Sequence, residues 1–449
     1  MDIAAARALG AVTALPRGPL VEALAARFPA HAADADAARR LAVQGGRAAA
    51  LARLDAIDPV GYARSRNHVG GAVTRLSPWI RHGVVGLAEV RDLALARVRR
   101  AEDAEKLVSE LAWRDYWRQV HAALGERIDD DVEGPTMQPR APVARTEVPD
   151  DVLGARTGMA CMDAFAGRLH DSGWLHNHER MWLASWLVHA RGVRWQAGAR
   201  WFLRHLLDGD PASNHLSWQW VAGTFSARPY LFNRENLETY TGNAHCGTCE
   251  LLGRCDVEGS YESLTDRFFV GPAGRESSPP ASLRGRLVRT FVPPPRGGPA
   301  RPLVWVTLGA ASSRGAAALA FPTSPRIHVI DPAWLAAEEP GLKRLVFLWE
   351  CLADIQDLHV VEGPPVDVLP AAAAALGCDG IALEWTPCPR ERAAAAAIAR
   401  VLPVSVVDEA PFCDRSRVDD LRRFSRYWQR VRASALRPTS DPVAPHPSA

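Results

Sequence analysis

Along residues 81–123, 160–190 and 195–207 apolar positions recur at helical spacing, and β-branched alternation is sparse. Residues 1–262 therefore read as mostly helical. The pattern changes after residue 302. Short apolar runs (LVWVTL, RIHVID, LHVVEG, DGIALEW and PVSVVDE) alternate with helical stretches such as LKRLVFLWECLADI, VLPAAAAALG and ERAAAAAIARVL. Strand–helix alternation predicts a parallel α/β sheet over residues 301–435. Between the two lies 263–300, punctuated by Pro and Gly (SSPPASLRGRLVRTFVPPPRGGPARP), which reads as a linker. Residues 436–449 read as a disordered tail. The expected fold class is multi-domain α and α/β, with the helical part first and no internal repeat.

A chain of 449 residues is too long for one ordinary core, which fits two or three domains. With 47% hydrophobic and 23% charged residues, bulk disorder is excluded. The 53 basic and 51 acidic residues nearly cancel, so any nucleic-acid contact must come from a local patch. Only two of the cations are lysines, Lys106 and Lys343; the rest are arginine. No uncharged apolar run approaches the ~18–20 residues of a membrane span. The N-terminal MDIAAARALGAVTALPRGPL lacks a basic region feeding a clean apolar stretch, so no signal peptide is expected. A cytoplasmic monomer without a membrane partner is the expectation. G-x-x-x-x-G-K-[ST], G-x-G-x-x-G, G-x-S-x-G and H-E-x-x-H are all absent, which removes the usual signatures of P-loop, dinucleotide, α/β-hydrolase and zincin chemistry. Eight cysteines in such a chain do not suggest a disulfide framework.

Seven of the fifteen Trp lie between Trp174 and Trp220. A heavy aromatic core is the plain reading. The polar residues between them point further. D-G-D-P-A-S-N-H-L-S-W-Q-W (208–220) sets Asp208, Asp210, Asn214 and His215 beside Trp218 and Trp220, and W-L-H-N-H-E-R-M (174–181) sets His176, Asn177 and Arg180 beside Trp174 and Met181. Such groups need partners if buried. A flat polar ligand held between aromatics would supply them.

These segments, with Y-x-x-x-R (62–66), T-R-L-S-P-W-I-R-H-G (74–83), S-E-L-A-W-R-D-Y-W-R (109–118) and T-G-M-A-C-M-D-A (157–164), resemble the photolyase/cryptochrome family in order and spacing. The resemblance implies a helical FAD-binding domain over 1–262. It implies that Tyr62 and Thr74, Arg75, Leu76 and Ser77 bind the FAD phosphates and ribityl chain, with backbone N–H groups facing the anion. Arg114, Asn177, Arg180, Asp208, Gly209 and Asp210 would surround the flavin ring and adenine, and Asn214 would face flavin N5. Trp218 and Trp195 match the proximal and middle members of the chain that photoreduces FAD. The outer member is missing, since no Trp lies between Trp117 and Trp174; Trp182, Trp186, Trp201 or a Tyr are the substitutes.

The cysteines C-G-T-C (246–249) and Cys255, with Cys161 upstream, could be half of a zinc site, completed by His245, or a redox pair. An iron–sulfur branch of the same family carries one Cys before the Trp/His helix and three after the FAD domain. The resemblance thus implies a [4Fe–4S] cluster on Cys161, Cys246, Cys249 and Cys255. Residues 301–435 resemble the family's α/β domain, which normally comes first and often holds an antenna chromophore, here unassigned. A circular permutation is the simplest account.

The implied activity is light-driven repair of pyrimidine dimers in DNA by an electron from reduced FAD, a carbon–carbon lyase reaction. Glu110, Trp113, Asn177 and Met181 match the cyclobutane-dimer pattern, and Arg66, Arg118, Arg180 and Arg228 are candidates for DNA phosphates. The cluster points instead to (6-4) photoproducts, whose repair uses paired His; here the motif is W-L-H-N. The alternative is a blue-light receptor of cryptochrome type.

Overall fold

The computed structural model describes residues 15–274, 280–285 and 298–439. The helical region opens with α1 (Arg17–Arg27), which buries Leu20, Val21 and Leu24 along one stripe. The long apolar-periodic stretch 81–123 is two helices, Leu87–Ala96 and α2 (Glu105–Leu124), parted by a 3₁₀ turn at Ala101–Ala104. The intervening VRRAED offers only Val98 and Ala101 as apolar side chains among four charges, so it has no stripe to bury. The stretch 160–190 is likewise divided, into α3 (Ala160–Ser172) and α4 (Asn177–Ser185), the latter running into a π-turn at Trp186–Ala190. Gly173 makes the break. Its φ is +63°, and a Cβ there would stand 2.9 Å from the His205 carbonyl oxygen. At the start of α4 the His176 side chain accepts the His178 N–H while Glu179 returns to the His176 N–H, a capping box with histidine in place of the usual hydroxyl. Helices α5 (Trp195–His205) and α6 (Pro211–Ala222) then pack against each other around the loop 206–210.

All five short apolar runs are strands. A two-stranded ribbon, β1 (Met137–Pro139) and β2 (Phe269–Pro272), sits in the helical region. The parallel sheet is β3 (Pro302–Trp305), β4 (Arg326–Ile330), β5 (Leu358–Glu362), β6 (Gly380–Glu384) and β7 (Val404–Val407), ordered β5-β4-β3-β6-β7. Every residue of β3 and β6 is buried, as expected where helices cover both faces. The winding reverses between β3 and β6, which opens a crevice beyond their carboxyl ends.

Helix α7 (Leu342–Leu352) joins the two parts and packs on α1, with ten of its eleven residues buried. Its two cations are sealed inside. Lys343 donates to the His170 carbonyl at 2.5 Å and pairs with Asp34 at 3.0 Å. Arg344 donates to the carbonyls of Leu203 and Gly209 and to Glu338. Near the C-terminus α8 (Phe424–Ala435) packs on α2, where Asp115 receives the Tyr427 hydroxyl and pairs with Arg415.

Two boundary expectations change. The helix Tyr261–Phe268 and strand β2 occupy the start of the supposed linker, because β2 has a pairing partner in β1. Residues 275–279 and 286–297 of that linker lie outside the described residues, as do 440–449 of the tail. The tail's first residues are structured: the Thr439 hydroxyl bonds Asp92 and accepts from Arg91.

Candidate functional site

The loop 208–210 is the centre of the site. Asp208 is buried, and one guanidinium nitrogen of Arg180 donates to both its oxygens, at 3.1 and 2.9 Å. Burial alone would raise its pKa; Arg180, the Ser77 hydroxyl and Arg114 outweigh it and hold the carboxyl below its ordinary value. Asp210 is the N-cap of α6. It accepts from the Ala212 and Ser213 N–H groups and the Ser213 hydroxyl, and pairs with Arg114 at 3.3 Å. Burial is again overridden, here by Arg81 and Arg114, and the group stays well below the usual carboxylate range. Between them the Gly209 carbonyl accepts from Arg81 at 2.8 Å and Arg344 at 2.6 Å, and a Cβ on Gly209 would stand 2.9 Å from the Arg344 guanidinium carbon.

Around this loop lie the other expected cofactor residues. Thr74 Oγ1 accepts from the Leu76 N–H, Leu76 is fully buried, and Ser77 opens a five-residue helix with its hydroxyl on Asp208. Arg75 has φ +54°, a conformation costing a non-glycine residue roughly 1–2 kcal/mol, and its guanidinium lies 4.6 Å from the Trp174 ring centre. Tyr62 bonds Arg66, and Arg66 pairs with Glu110 at 2.9 Å. The Arg66 carbonyl also meets His176 Nε2 at 3.0 Å, which brings Glu110 toward the start of α4. There Asn177 is exposed and donates to the Met181 sulfur one turn along, at 3.2 Å. Trp113 is not an open wall, because one face stacks on Phe424 of α8 at 3.8 Å.

Deeper in, Asn214 is buried and donates to the Ala199 carbonyl at 2.8 Å. Trp218 packs closely on α5, where a Cβ on Gly198 would stand 2.2 Å from its ring. Trp195, one turn before Gly198, is also buried. Ionised carboxylates that accept, with an amide and hydroxyls that can donate or accept, set among indoles, form a polar set that fits the hydrogen-bonding edge of a flavin.

The cationic residues divide. Arg228 is exposed. Arg66 and Arg180 are held by Glu110 and Asp208. Arg118 is committed to Glu409 and lies 5.3 Å from the Trp385 ring centre, so it faces the sheet rather than standing free for a phosphate. The four cysteines also need correction. Burial first, then neighbouring thiols, pushes Cys161 upward, and Cys246 rises to about 11, so the sulfurs lie within electrostatic reach of one another. Yet among the described residues no three His, Cys, Asp or Glu are gathered to hold a metal ion. The four thiols are neighbours without forming a closed ligand set.

Sequence reasoning missed the cleft on the other side of the loop. A cavity of about 370 Å³ lies beyond the carboxyl ends of β3 and β6, between Leu308, Trp385 and Glu409 on one side and Arg81, Arg114 and Asp210 on the other. Glu384 lines it; burial, then the charge of Glu409, pushes its carboxyl up to about 7. The usable signal was the Lys-Arg pair in LKRLVFLWECL, which demands buried partners; Arg344 finds one in Glu338 on the cavity wall.

Residues 107–241 match the sequence model described as the FAD binding domain of DNA photolyase. A deoxyribodipyrimidine photo-lyase of Streptomyces griseus is 39% identical over 158 residues, 34% of this chain and 33% of the relative. One from Alkalihalophilus pseudofirmus is 34% identical over 166 residues, 36% and 34% of the two chains. A cryptochrome DASH of Ostreococcus tauri is 33% identical over 205 residues, 42% and 36%. The chain spans about a third of the length of these relatives. No described helix is long and apolar enough to cross a membrane.

Proposed function

Starting from a chain whose helical part belongs to the photolyase/cryptochrome family, we propose that it binds FAD around the 208–210 loop and repairs pyrimidine dimers in DNA by light, cyclobutane dimers foremost. The observation that carries the reading is the set of buried, ionised groups already paired at that loop: Arg180–Asp208 with Ser77, and Arg114–Asp210, next to the Asn214 amide. FAD, when bound, supplies light absorption and the electron that opens the cyclobutane ring.

The chain's own residues bind and orient. Asp208 and Asp210 stay ionised and fixed, so they can accept N–H groups without reorganising. Asn214, tethered at its amide N–H₂ by Ala199, holds a neutral side chain toward the ring. Thr74 to Ser77 would offer backbone N–H groups to the cofactor's anionic part. At the mouth, photolyases extrude the damaged nucleotides. Glu110 would exchange Arg66 for the flipped pyrimidines, freeing the guanidinium for phosphate, while Asn177 and Met181 offer an amide and a soft apolar surface one helical turn apart. Arg228 is a further phosphate contact.

Three carry-overs complete the reading. Carried over from the resemblance alone, Cys161, Cys246, Cys249 and Cys255 would hold a [4Fe–4S] cluster, which would need the thiols gathered more closely than they stand here. The cleft at β3 and β6 is where an antenna chromophore, unassigned by the sequence, would have room. The α/β domain follows the FAD domain by circular permutation. The test uses purified protein: flavin absorbance and about four iron atoms per chain, then blue-light repair of both lesions by pre-reduced protein. Restoration of only the (6-4) product reverses the lesion assignment. Photoreduction without repair of either lesion favours the receptor. A folded protein that takes up no flavin ends the reading, and zinc without iron replaces the cluster.

A further inference from the structure

We propose that Asp131 is the proton acceptor that terminates the Trp218–Trp195 electron route, a deepening that rests on the FAD reading above. Three observations carry it. First, residues 118–173 contain neither Trp nor Tyr, so the segment that would hold an outer aromatic donor has none. Second, Trp195 sits in the right place to be last. The outer edge of the Trp218 ring packs against Gly198, one turn along the same face of α5, and Trp218 and Trp195 are both buried. His215, next to Asn214, stands edge-on to Trp195 at 5.9 Å. Third, the Trp195 indole N–H donates to Asp131 Oδ1 at 2.7 Å, and Asp131 is exposed to water. The route therefore ends on an indole with its proton already directed at a solvated carboxylate.

The chemistry follows. The oxidant is the photoexcited oxidised flavin, which takes one electron from Trp218; Trp195 refills Trp218 with one electron. An indole that has lost an electron is a far stronger N–H acid. The Trp195 N–H bond breaks, its proton forms an O–H bond on Asp131, and the products are a neutral Trp195 radical and a protonated carboxyl. Asp131 then exchanges that proton with water. The electron can return only if a proton returns with it, so the charges stay apart without a third tryptophan. A competing branch runs from Trp218 to Phe202 at 5.0 Å and on to Trp201 at 5.6 Å, whose indole donates to His170 at 3.2 Å. It passes through a phenyl ring, which is harder to oxidise than indole, and its imidazole acceptor is only partly exposed. Another indole–carboxylate pair of the same length, Trp186 with Asp256 at 2.7 Å, lies off the route and serves as the internal control.

Asp131→Asn keeps an oxygen for the indole but cannot hold the proton. Transient absorption distinguishes the neutral Trp radical from its cation. In the full chain with FAD, Asp131→Asn should leave the cation and shorten the charge-separated lifetime by roughly a hundredfold, the low end for a positioned proton acceptor. The solvent isotope effect should vanish with it. Asp131→Glu should recover the neutral radical, and Asp256→Asn should change nothing. An unchanged lifetime in Asp131→Asn, or loss of the radical only in Trp201→Phe, overturns the assignment. If the chain takes up no flavin, the FAD reading fails by itself, and Asp131 is still tested by oxidising the protein with a flash-generated ruthenium polypyridyl oxidant. The component lost in Trp195→Phe should then be neutral in the parent and cationic in Asp131→Asn; a cation in both overturns the proposal. The Trp195 indole N–H resonance, present in both proteins, checks that the hydrogen bond survives the substitution.

Discussion

The two carboxylates of one three-residue loop meet different parts of the molecule. Asp208 is satisfied within the helical region, by Arg180 and Ser77. Asp210 caps α6 and reaches Arg114 on the wall of the cavity shared with the sheet. Gly209 between them is gripped from both sides, by Arg81 from the helical region and Arg344 from α7. The proposed cofactor pocket and the contact between the two parts are thus held by one stretch of backbone. A disturbance on the sheet side should reach the pocket, and the reverse.

The strongest way to break this comparison is Arg344→Met. It leaves Glu338 as a buried, half-partnered charge and the Gly209 carbonyl with one donor fewer. Removing one member of a buried pair costs about 3–5 kcal/mol, to be read from the shift in denaturant midpoint. Cofactor retention should fall with it. Normal retention in a destabilised protein would show that the two sides are independent.

A pH titration sharpens the sheet side alone. Glu384 rises from 4.5 to about 7 on folding, so the folded chain holds its proton more tightly than the unfolded one. Its stabilising share is fully present below pH 4.5 and is lost as pH climbs to about 7. The drop is about 3 kcal/mol at most, at 1.36 kcal/mol per pH unit. Glu384→Gln should flatten the stability-against-pH curve in that window, and a curve identical to the parent's would show that Glu384 is not the group responsible.

The smallest effects separate the two carboxylates directly. Asp208→Ala leaves Arg180 facing a buried gap, at a cost of ~1–3 kcal/mol, and should release FAD. Asp210→Asn keeps the cap, since Asn serves there as well as Asp, and gives up only the charge toward Arg114. Its cost should come from the buried Arg114 left without its carboxylate rather than from the cap, with FAD held. Equal flavin loss in both would mean that the charge of Asp210, rather than its capping geometry, matters to the pocket.

The sheet was legible because each strand is a short apolar run with helical sequence on both sides, and burial on both faces leaves no polar alternation to misread. The helices were legible as stretches but not as pieces, since Gly173 and the charged 97–104 segment act through local geometry that apolar spacing does not record. The motifs located the Asp208, Asp210 and Asn214 neighbourhood. They did not locate the partners. Arg118 looked like a free cation on a helix because Glu409 is 291 residues away, and Trp113 looked like an open ring because Phe424 comes from α8. Ion pairs and stacks of that range are set by how the two parts dock, which no local window contains.

Lys343 offers a handle of another kind. The chain has two lysines, and this one is wholly enclosed between α7, His170 and Asp34, while Lys106 is exposed. For a protease that cuts only after lysine, one of two possible sites is sealed as long as α7 stays docked. The rate at which the 343 fragment forms is therefore a clock for α7 undocking, readable on a gel without any dye, label or chromophore.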